Sequence, residues 1–560
     1  MSGFQPRLTR RGALFTGAAA TGFGWSYAAS AQDQDAGLAE AVDAYVRRVM
    51  AAWPDQPAVG VSVVRDGRTV LARGYGEKRM GSGEAADENT QFAVASNTKA
   101  TTAALLAMLV DEGKVEWDAP VRTYLPDFTL SDPFIGERIT VRDLISHRAG
   151  FGLGAGDLLF WPNSDRTRAE IMAAIPHVPI EYGFRAGYHY CNLMFVVAGE
   201  VVASQMGLPF EDCLQSRILT PLGMTNTVPM TSMADPARSA LPHGRVGPPL
   251  RYQGDMTLLS ETIPGIWNWD SAAAAGGICA TPADWTRWMK TQLAAGQAPD
   301  GGPRLWSQAQ ATEMWRPNII SGSSPGPTDT LPGRAIANTY AMGWSVADYR
   351  GERIVNHGGG SPGGISSTYL IPGRNAGFCV FTNAEESFCL RALRQGIADL
   401  VMDKANFDWI ADGQRLEAEG TARSLEAAAR IDAEQAAGAP PSLPLEAYAG
   451  TWRDPWYGDI DIRYHSLYSS PRVRRPVETP AEETEMALTL AFTRSPALRG
   501  LLEFYNGETF RTRFGDRREE DAFITFEIEE GRPVRATMRG VSPDIDFSYD
   551  YQDLRLTKVA

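Results

Sequence analysis

A chain of 560 residues exceeds what one hydrophobic core supports, so two or more domains are expected. The composition, 44% hydrophobic and 21% charged, is that of a globular protein, and no apolar run reaches the ~20 residues of a membrane span, which excludes a transmembrane helix and predicts a soluble mature protein. A net charge of −14 with no basic stripe excludes nucleic acid as a partner.

The N-terminus reads as a targeting segment. Thr9-Arg10-Arg11-Gly12-Ala13-Leu14-Phe15 precedes a mild Gly/Ala-rich stretch, and Ala29-Ser30-Ala31 offers an A-x-A cleavage site. Twin arginines before so weak an apolar region resemble a twin-arginine export signal over residues 1–31, with an ordinary secretory signal as the alternative. Either destination is periplasmic or extracellular. The five Cys (191, 213, 279, 379 and 389) are widely spaced and odd in number, which disfavours a disulfide framework while leaving room for one bridge after export.

In the mature chain, Leu38 to Met50 places apolar residues at helical spacing. Ala58–Val64 and Thr69–Tyr75 read as strands joined at Asp66-Gly67, a hairpin signal. Phe92-Ala93-Val94-Ala95 then leads into Ser96-Asn97-Thr98-Lys99 and a run of helix formers from Ala100 to Val110. A serine on the first turn of a buried helix sits where backbone N–H groups favour developing negative charge. Lys99 lies one turn further along the same face, so Ser96 is a nucleophile with a base beside it. Free lysine titrates near 10.4, and holding Lys99 neutral at pH 7 costs about 4.6 kcal/mol, which burial must impose.

Val141 to Ser146 reads as a structural helix, with Asp143 in it and His147 as a helix-end residue. Trp161, Trp267 and Trp269 either line a cleft or pack a core. Tyr190-Cys191-Asn192 opens a helical stretch to Gly199, supplying a phenol and an amide two residues apart. His357-Gly358-Gly359 follows the strand-like Arg353-Ile354-Val355. Gly359-Gly360-Ser361-Pro362-Gly363 matches the G-x-S-x-G nucleophile elbow of α/β-hydrolases, but that elbow needs a strand turning into a helix. Here Ser361 leads to the strand-like Ser367–Ile371, so it is read as a decoy.

The order Ser-x-x-Lys, Tyr-x-Asn, His-x-Gly resembles the penicillin-recognising serine hydrolases, which include class C β-lactamases, D-Ala-D-Ala carboxypeptidases, D-aminopeptidases and related esterases. Ile139 to Gly150, Gly276 to Thr281 with Asp284 and Trp285, and Tyr340 to Trp344 strengthen the likeness, which covers roughly residues 37 to 410. It implies that Lys99 and Tyr190 share the base role for Ser96 and that Tyr190 returns the proton to the leaving group. By the same likeness Asn192 holds Lys99 and orients a substrate amide, and His357 faces a substrate carboxylate or polarises Tyr190. The Ser96 and Gly360 N–H groups form the oxyanion hole, with Gly358 and Gly359 in the strand beside it. Histidine at the third triplet, where typical β-lactamases carry Lys-Thr-Gly, points to the peptidase branch. The expected activity is cleavage of a peptide or amide, with D- or non-standard residues among the candidates. An esterase of the same family is the alternative, and a non-catalytic peptidoglycan- or β-lactam-binding protein the rival of another class. No cofactor or metal is implied.

The expected fold is α+β, an antiparallel sheet flanked by helices with a helical block, spanning residues 32–412, in which the strands of residues 340–383 join the first hairpin in one sheet. Ala/Glu-rich residues 413–437 read as a solvent-facing helix, and with Gly438-Ala439-Pro440-Pro441 they make a connector over 413–442. Residues 443–560 read as a small β-barrel, whose last strand is expected at Asp546–Tyr551. Tyr448 to Trp452 and Glu508 to Arg511 resemble a lipocalin-like domain.

Overall fold

The computed structural model describes residues 20–263, 268–466 and 486–559, with side chains from residue 32. Most of residues 1–31, the segment expected to be an export signal, and Trp267 therefore lie outside the described residues. The first helix, α1 (Ala20–Ala52), carries Leu38, Val42, Val46 and Val49 as one buried stripe.

The strands β1 (Ala58–Arg65) and β2 (Arg68–Gly76) form the expected hairpin, with Asp66 and Gly67 both at positive φ as that turn demands. They join β3 (Ile319–Ser323), β4 (Ala337–Tyr340), β5 (Ser345–Tyr349), β6 (Glu352–Ser361), β7 (Gly364–Ile371) and β8 (Ala376–Thr382) in one eight-stranded antiparallel sheet, ordered β2-β1-β8-β7-β6-β5-β4-β3. Strand β1 is buried on both faces: Val59, Val61 and Val63 meet α1, while Ala58 and Val64 belong to the core on the other side.

The helical block holds α2 (Lys99–Asp111) and α3 (Leu193–Met206), and α4 (Pro282–Leu293) packs on the sheet from that side. Helix α2 is buried from Lys99 to Leu109, so its surface has no solvent-facing stripe over that length. On the opposite face α5 (Ser387–Val401) covers the sheet beside α1. Trp161 and Trp269 pack against each other in the core, their ring centroids 5.3 Å apart. All five cysteines are free and buried. Among the described residues no single helix is long and apolar enough to cross a membrane.

The connector is α6 (Trp409–Ala436), starting at the Asp408 side chain, which accepts the Ile410 and Ala411 N–H groups. It is not purely solvent-facing. Trp409 and Asp412 are buried at one end, and Ser424, Ala427, Ala428 and Ile431 further along, because small alanines let the next domain pack closely. That domain is a closed eight-stranded barrel of β9 (Gly450–Asp454), β10 (Gly458–Ser466), β11 (Met486–Phe492), β12 (Arg499–Asn506), β13 (Thr509–Phe514), β14 (Ala522–Glu529), β15 (Arg532–Gly540) and β16 (Arg555–Lys558).

Residues 546–551 are not a strand. The Ser548 N–H bonds the Asp546 carboxylate at 2.8 Å and the Tyr549 N–H bonds the Asp546 carbonyl at 3.0 Å, folding this segment into a strap between β15 and β16. The strap reaches the catalytic block. Nearby, buried Arg251 is paired with Glu385 at 3.0 Å and donates to the Arg518 carbonyl of the barrel at 2.6 Å, and Arg494 pairs with Glu170 at 2.9 Å.

Candidate active site

Ser96 sits on a 3-10 turn, Ala95–Thr98, that runs directly into α2. Ala95 adopts φ 45°, a left-handed conformation uncommon for a residue with a Cβ, and this bend turns Ser96 towards the sheet. Lys99 Nζ donates to Ser96 Oγ at 2.9 Å and to the Ala275 carbonyl at 2.8 Å. The ammonium lies 4.9 Å from the centre of the Tyr190 ring and 5.3 Å from that of Phe195. Complete burial pushes Lys99 down to about 7, against the pull of Asp157 and Cys191 in the opposite direction. A lysine here changes charge at neutral pH.

Tyr190 hydrogen-bonds the Ser96 side chain, and burial holds its phenol well above the usual range. Its ring lies tilted against that of His147, with centroids 4.1 Å apart. His147 is not the helix-end residue that the sequence suggests: the helix spans only Val141–Leu144, and His147 bends into the site at φ 56°. Its Nδ1 accepts the Cys191 N–H at 3.1 Å, which leaves the proton on Nε2, a buried atom without a partner. Asp143 is structural as expected, capping that helix and pairing with Arg148 and Arg185.

Asn192 does not bond Lys99. Its Nδ2 donates to Asp157 at 2.8 Å, while its Oδ1 is buried and unpartnered. Asp157 is buried beside it and is pushed up to about 8 by that burial.

His357 does not end its strand, since β6 continues through the glycines to Ser361. Its Nδ1 lies 2.5 Å from the Gly358 carbonyl and its Nε2 2.9 Å from the Tyr340 hydroxyl, so Nδ1 donates and Nε2 accepts. Burial lowers it to about 3, with the Lys99 charge acting in the same direction, so the ring is neutral at pH 7. The Tyr340 hydroxyl, rather than Tyr190, is its partner, and the His357 and Tyr190 ring centres are 6.3 Å apart.

Gly359 passes so near the Ser96 turn that a Cβ there would lie 2.3 Å from the Val94 carbonyl oxygen, 2.4 Å from Ser366 Oγ and 3.2 Å from the Ser96 nitrogen. Ser366 ties the two together, donating to the Val94 carbonyl at 2.8 Å and accepting from Asn97 at 2.8 Å. Gly360 faces open space. Strand β5 pairs with β6 only over residues 352–356, so among the described strands the β6 edge from His357 onward has no neighbour on that side. Ser361 stands in a β6–β7 hairpin closed by Pro362-Gly363, with Oγ 3.3 Å from the Gly364 carbonyl. Strand–turn–strand geometry rules out an elbow nucleophile, as read from sequence.

One contributor has no sequence signal of its own. The strap places the Phe547 ring edge-on to Tyr190, with centroids 5.7 Å apart. Asp550 accepts the Gly156 N–H at 2.5 Å and the Leu158 N–H at 3.0 Å, and Ser548 bonds Asp157. The barrel thus brackets the turn that carries Asp157.

Residues 42–401 match the family described as Beta-lactamase. The chain belongs to the beta-lactamase family. As a member it is an enzyme, a serine hydrolase. Residues 434–558 match a family described as a domain of unknown function (DUF3471), which is the closed barrel. The chain is 28% identical over 469 residues to the unguisins hydrolase ungD' of Aspergillus campestris, spanning 78% of this chain and 80% of that one. It is 26% identical to the D-alanyl-D-alanine-carboxypeptidase/endopeptidase AmpH of Escherichia coli, covering 61% and 83%. Among solved structures, the octameric penicillin-binding protein homologue from Pyrococcus abyssi aligns with 93% of this chain and 99% of its own, at TM-score 0.52 and 16% identity. D-amino acid amidase from Ochrobactrum anthropi aligns with 66% and 98%, at TM-score 0.54 and 23% identity. At these identities the structural likeness is one of fold.

Proposed function

We propose that this beta-lactamase-family hydrolase cleaves amide bonds in small peptides, substrates with D- or non-standard residues included, through an ester on Ser96. The observation that carries the reading is the 2.9 Å bond between Ser96 Oγ and a wholly buried Lys99 that titrates near 7. Neutral Lys99 takes the Ser96 proton as Oγ bonds the substrate carbonyl carbon. The Tyr190 phenol, held protonated by burial, donates to the departing amine; its phenolate then takes a proton from the water that attacks the ester, while protonated Lys99 returns its proton to Ser96 Oγ as the ester opens. The Ser96 and Gly360 N–H groups receive the carbonyl oxygen. The open β6 edge at His357–Gly360 receives the substrate backbone, with Gly358 and Gly359 keeping it free of side chains. Asn192 Oδ1, buried and unpartnered, is free to accept a substrate amide N–H.

Amides are favoured over esters because an amine leaving group needs a proton and Tyr190 is placed to give one, and because AmpH is named a peptidase. A pure binder is disfavoured by an intact Ser96–Lys99–Tyr190 contact. We propose also that residues 1–31 direct export to the periplasm or medium, and that residues 32–412, 413–442 and 443–560 are catalytic domain, connector and barrel.

The test is labelling with a fluorophosphonate probe and mapping of the adduct, alongside hydrolysis of D- and L-aminoacyl anilides and matched esters. Loss of both labelling and anilide turnover in Ser96→Ala is expected. Turnover of esters alone would sink the amide reading, and an adduct on another serine would sink the mechanism.

A further inference from the structure

Two large apolar side chains are exposed on segments that come together from different domains. Leu153 is 51% exposed and Phe547 39% exposed, whereas the strap's other aromatics, Tyr549 and Tyr551, are buried. Gly154 joins the two. Its N–H bonds the Tyr190 carbonyl at 2.8 Å, and a Cβ on it would lie 2.4 Å from the Phe547 carbonyl oxygen and 2.9 Å from Cδ2 of the Phe547 ring. Phe547 therefore packs on Gly154 and Tyr190, with the exposed Leu153 the residue next to Gly154 along the chain. The strap is fixed on both sides of the ring, by the Asx turn at Asp546 and by Asp550 on the Gly156 and Leu158 N–H groups. An exposed aromatic ring on an anchored segment is preorganised to bury a partner.

We propose that Phe547 is a specificity-determining residue: with Leu153 it forms an apolar shelf for an aromatic or branched aliphatic side chain adjacent to the scissile bond. The barrel domain thereby sets which substrates the catalytic domain takes. The inference rests on the amide-hydrolase reading of the same site.

The experiment compares phenylalanine, leucine and glycine amides and anilides, varied on each side of the scissile bond, for the full-length enzyme, Phe547→Ala and Phe547→Leu. Removing the ring should lower kcat/KM for the phenylalanine and leucine substrates about tenfold, chiefly through KM, and leave the glycine substrates within about twofold. Phe547→Leu should restore most of the loss. Labelling of Ser96 by a small fluorophosphonate at an unchanged rate verifies that the variants are folded with an intact nucleophile. An equal fall for glycine and phenylalanine substrates would reduce Phe547 to packing, and faster turnover of the bulky substrates in Phe547→Ala would make it a steric barrier. Either result overturns the proposal. Should no amide be turned over at all, protection of Ser96 from labelling reads the shelf independently. Better protection by phenylalanine amide than by glycine amide, lost in Phe547→Ala, upholds the shelf even if the amide reading fails. Equal protection sinks it.

Discussion

Replacing Lys99 by methionine should abolish turnover and at the same time make the protein more stable at neutral pH, with a pH dependence of known sign. Burial takes Lys99 from 10.5 to about 7. At ~1.36 kcal/mol per unit, that difference corresponds to a cost on the order of 5 kcal/mol carried by the native state at and below pH 7. The bonds to Ser96 Oγ and the Ala275 carbonyl return ~1 kcal/mol each, and the variant leaves the Ala275 carbonyl unpartnered. Lys99→Met should therefore gain about 1–3 kcal/mol at pH 7. Because the native-state pKa is depressed, the unfolded chain binds more protons between pH 7 and 10.5, and the wild type recovers stability over that window. The variant's advantage should shrink by about 1.4 kcal/mol per pH unit and disappear between about pH 8 and 9.5. Asp157 adds to the same trend. The lysine charge lowers its pKa, so removing Lys99 moves it further up and steepens the loss in the variant. His147 and His357 also move upward once that charge is gone, but from positions well below the window. The assay is urea unfolding of both proteins at pH 7.0, 8.5 and 9.5, with kcat/KM of the wild type measured from about pH 5 to 9 and expected to rise through about pH 7. A stability difference that does not change between pH 7 and 9.5 would refute a lysine held neutral by burial.

Three further outcomes are expected. Ser96→Ala should lose labelling and at least about 10³-fold in turnover while keeping its fold, whereas Ser361→Ala should stay within about threefold, as measured by probe labelling and steady-state kinetics. Gly359→Ala forces a Cβ into the Val94 carbonyl and displaces the Ser96 turn, so kcat should fall about 100-fold, with circular dichroism unchanged. Burial pushes Glu519 and Glu520 to about 8, so the native state binds more protons than the unfolded chain between about pH 4 and 8 and stability falls as pH rises through that window. Glu520→Gln should flatten this slope in thermal unfolding followed from pH 5 to 9.

The contact between Ser96 and Lys99 was readable in the sequence because Ser-x-x-Lys needs only one turn of local geometry, and the first hairpin because Asp66-Gly67 has the conformations that turn requires. His147 was misread because its place is set by contacts with Tyr190 and Cys191 from another segment, which no local pattern encodes. The strap was misread for a related reason. Asp546-Phe547-Ser548-Tyr549-Asp550-Tyr551 alternates polar and aromatic residues with the period of a strand, but Asp546 bonds its own backbone and Asp550 bonds that of the catalytic block. The solvent-facing reading of α6 treated alanine as filler, whereas Ala427 and Ala428 are where the helix packs closely.

The anchors that brace the turn carrying Asp157 come from residues 546–553, made after every strand of the eight-stranded sheet. A polypeptide synthesised from its N-terminus can close the eight-stranded sheet and bring Ser96 to Lys99 while those residues do not yet exist. The Gly156 and Leu158 N–H groups then have only water to bond, and one side of the Tyr190 ring stands bare. That wall of the site thus waits on residues beyond β15, and a product cut short there would carry Ser96, Lys99 and Tyr190 without the strap that packs beside Tyr190.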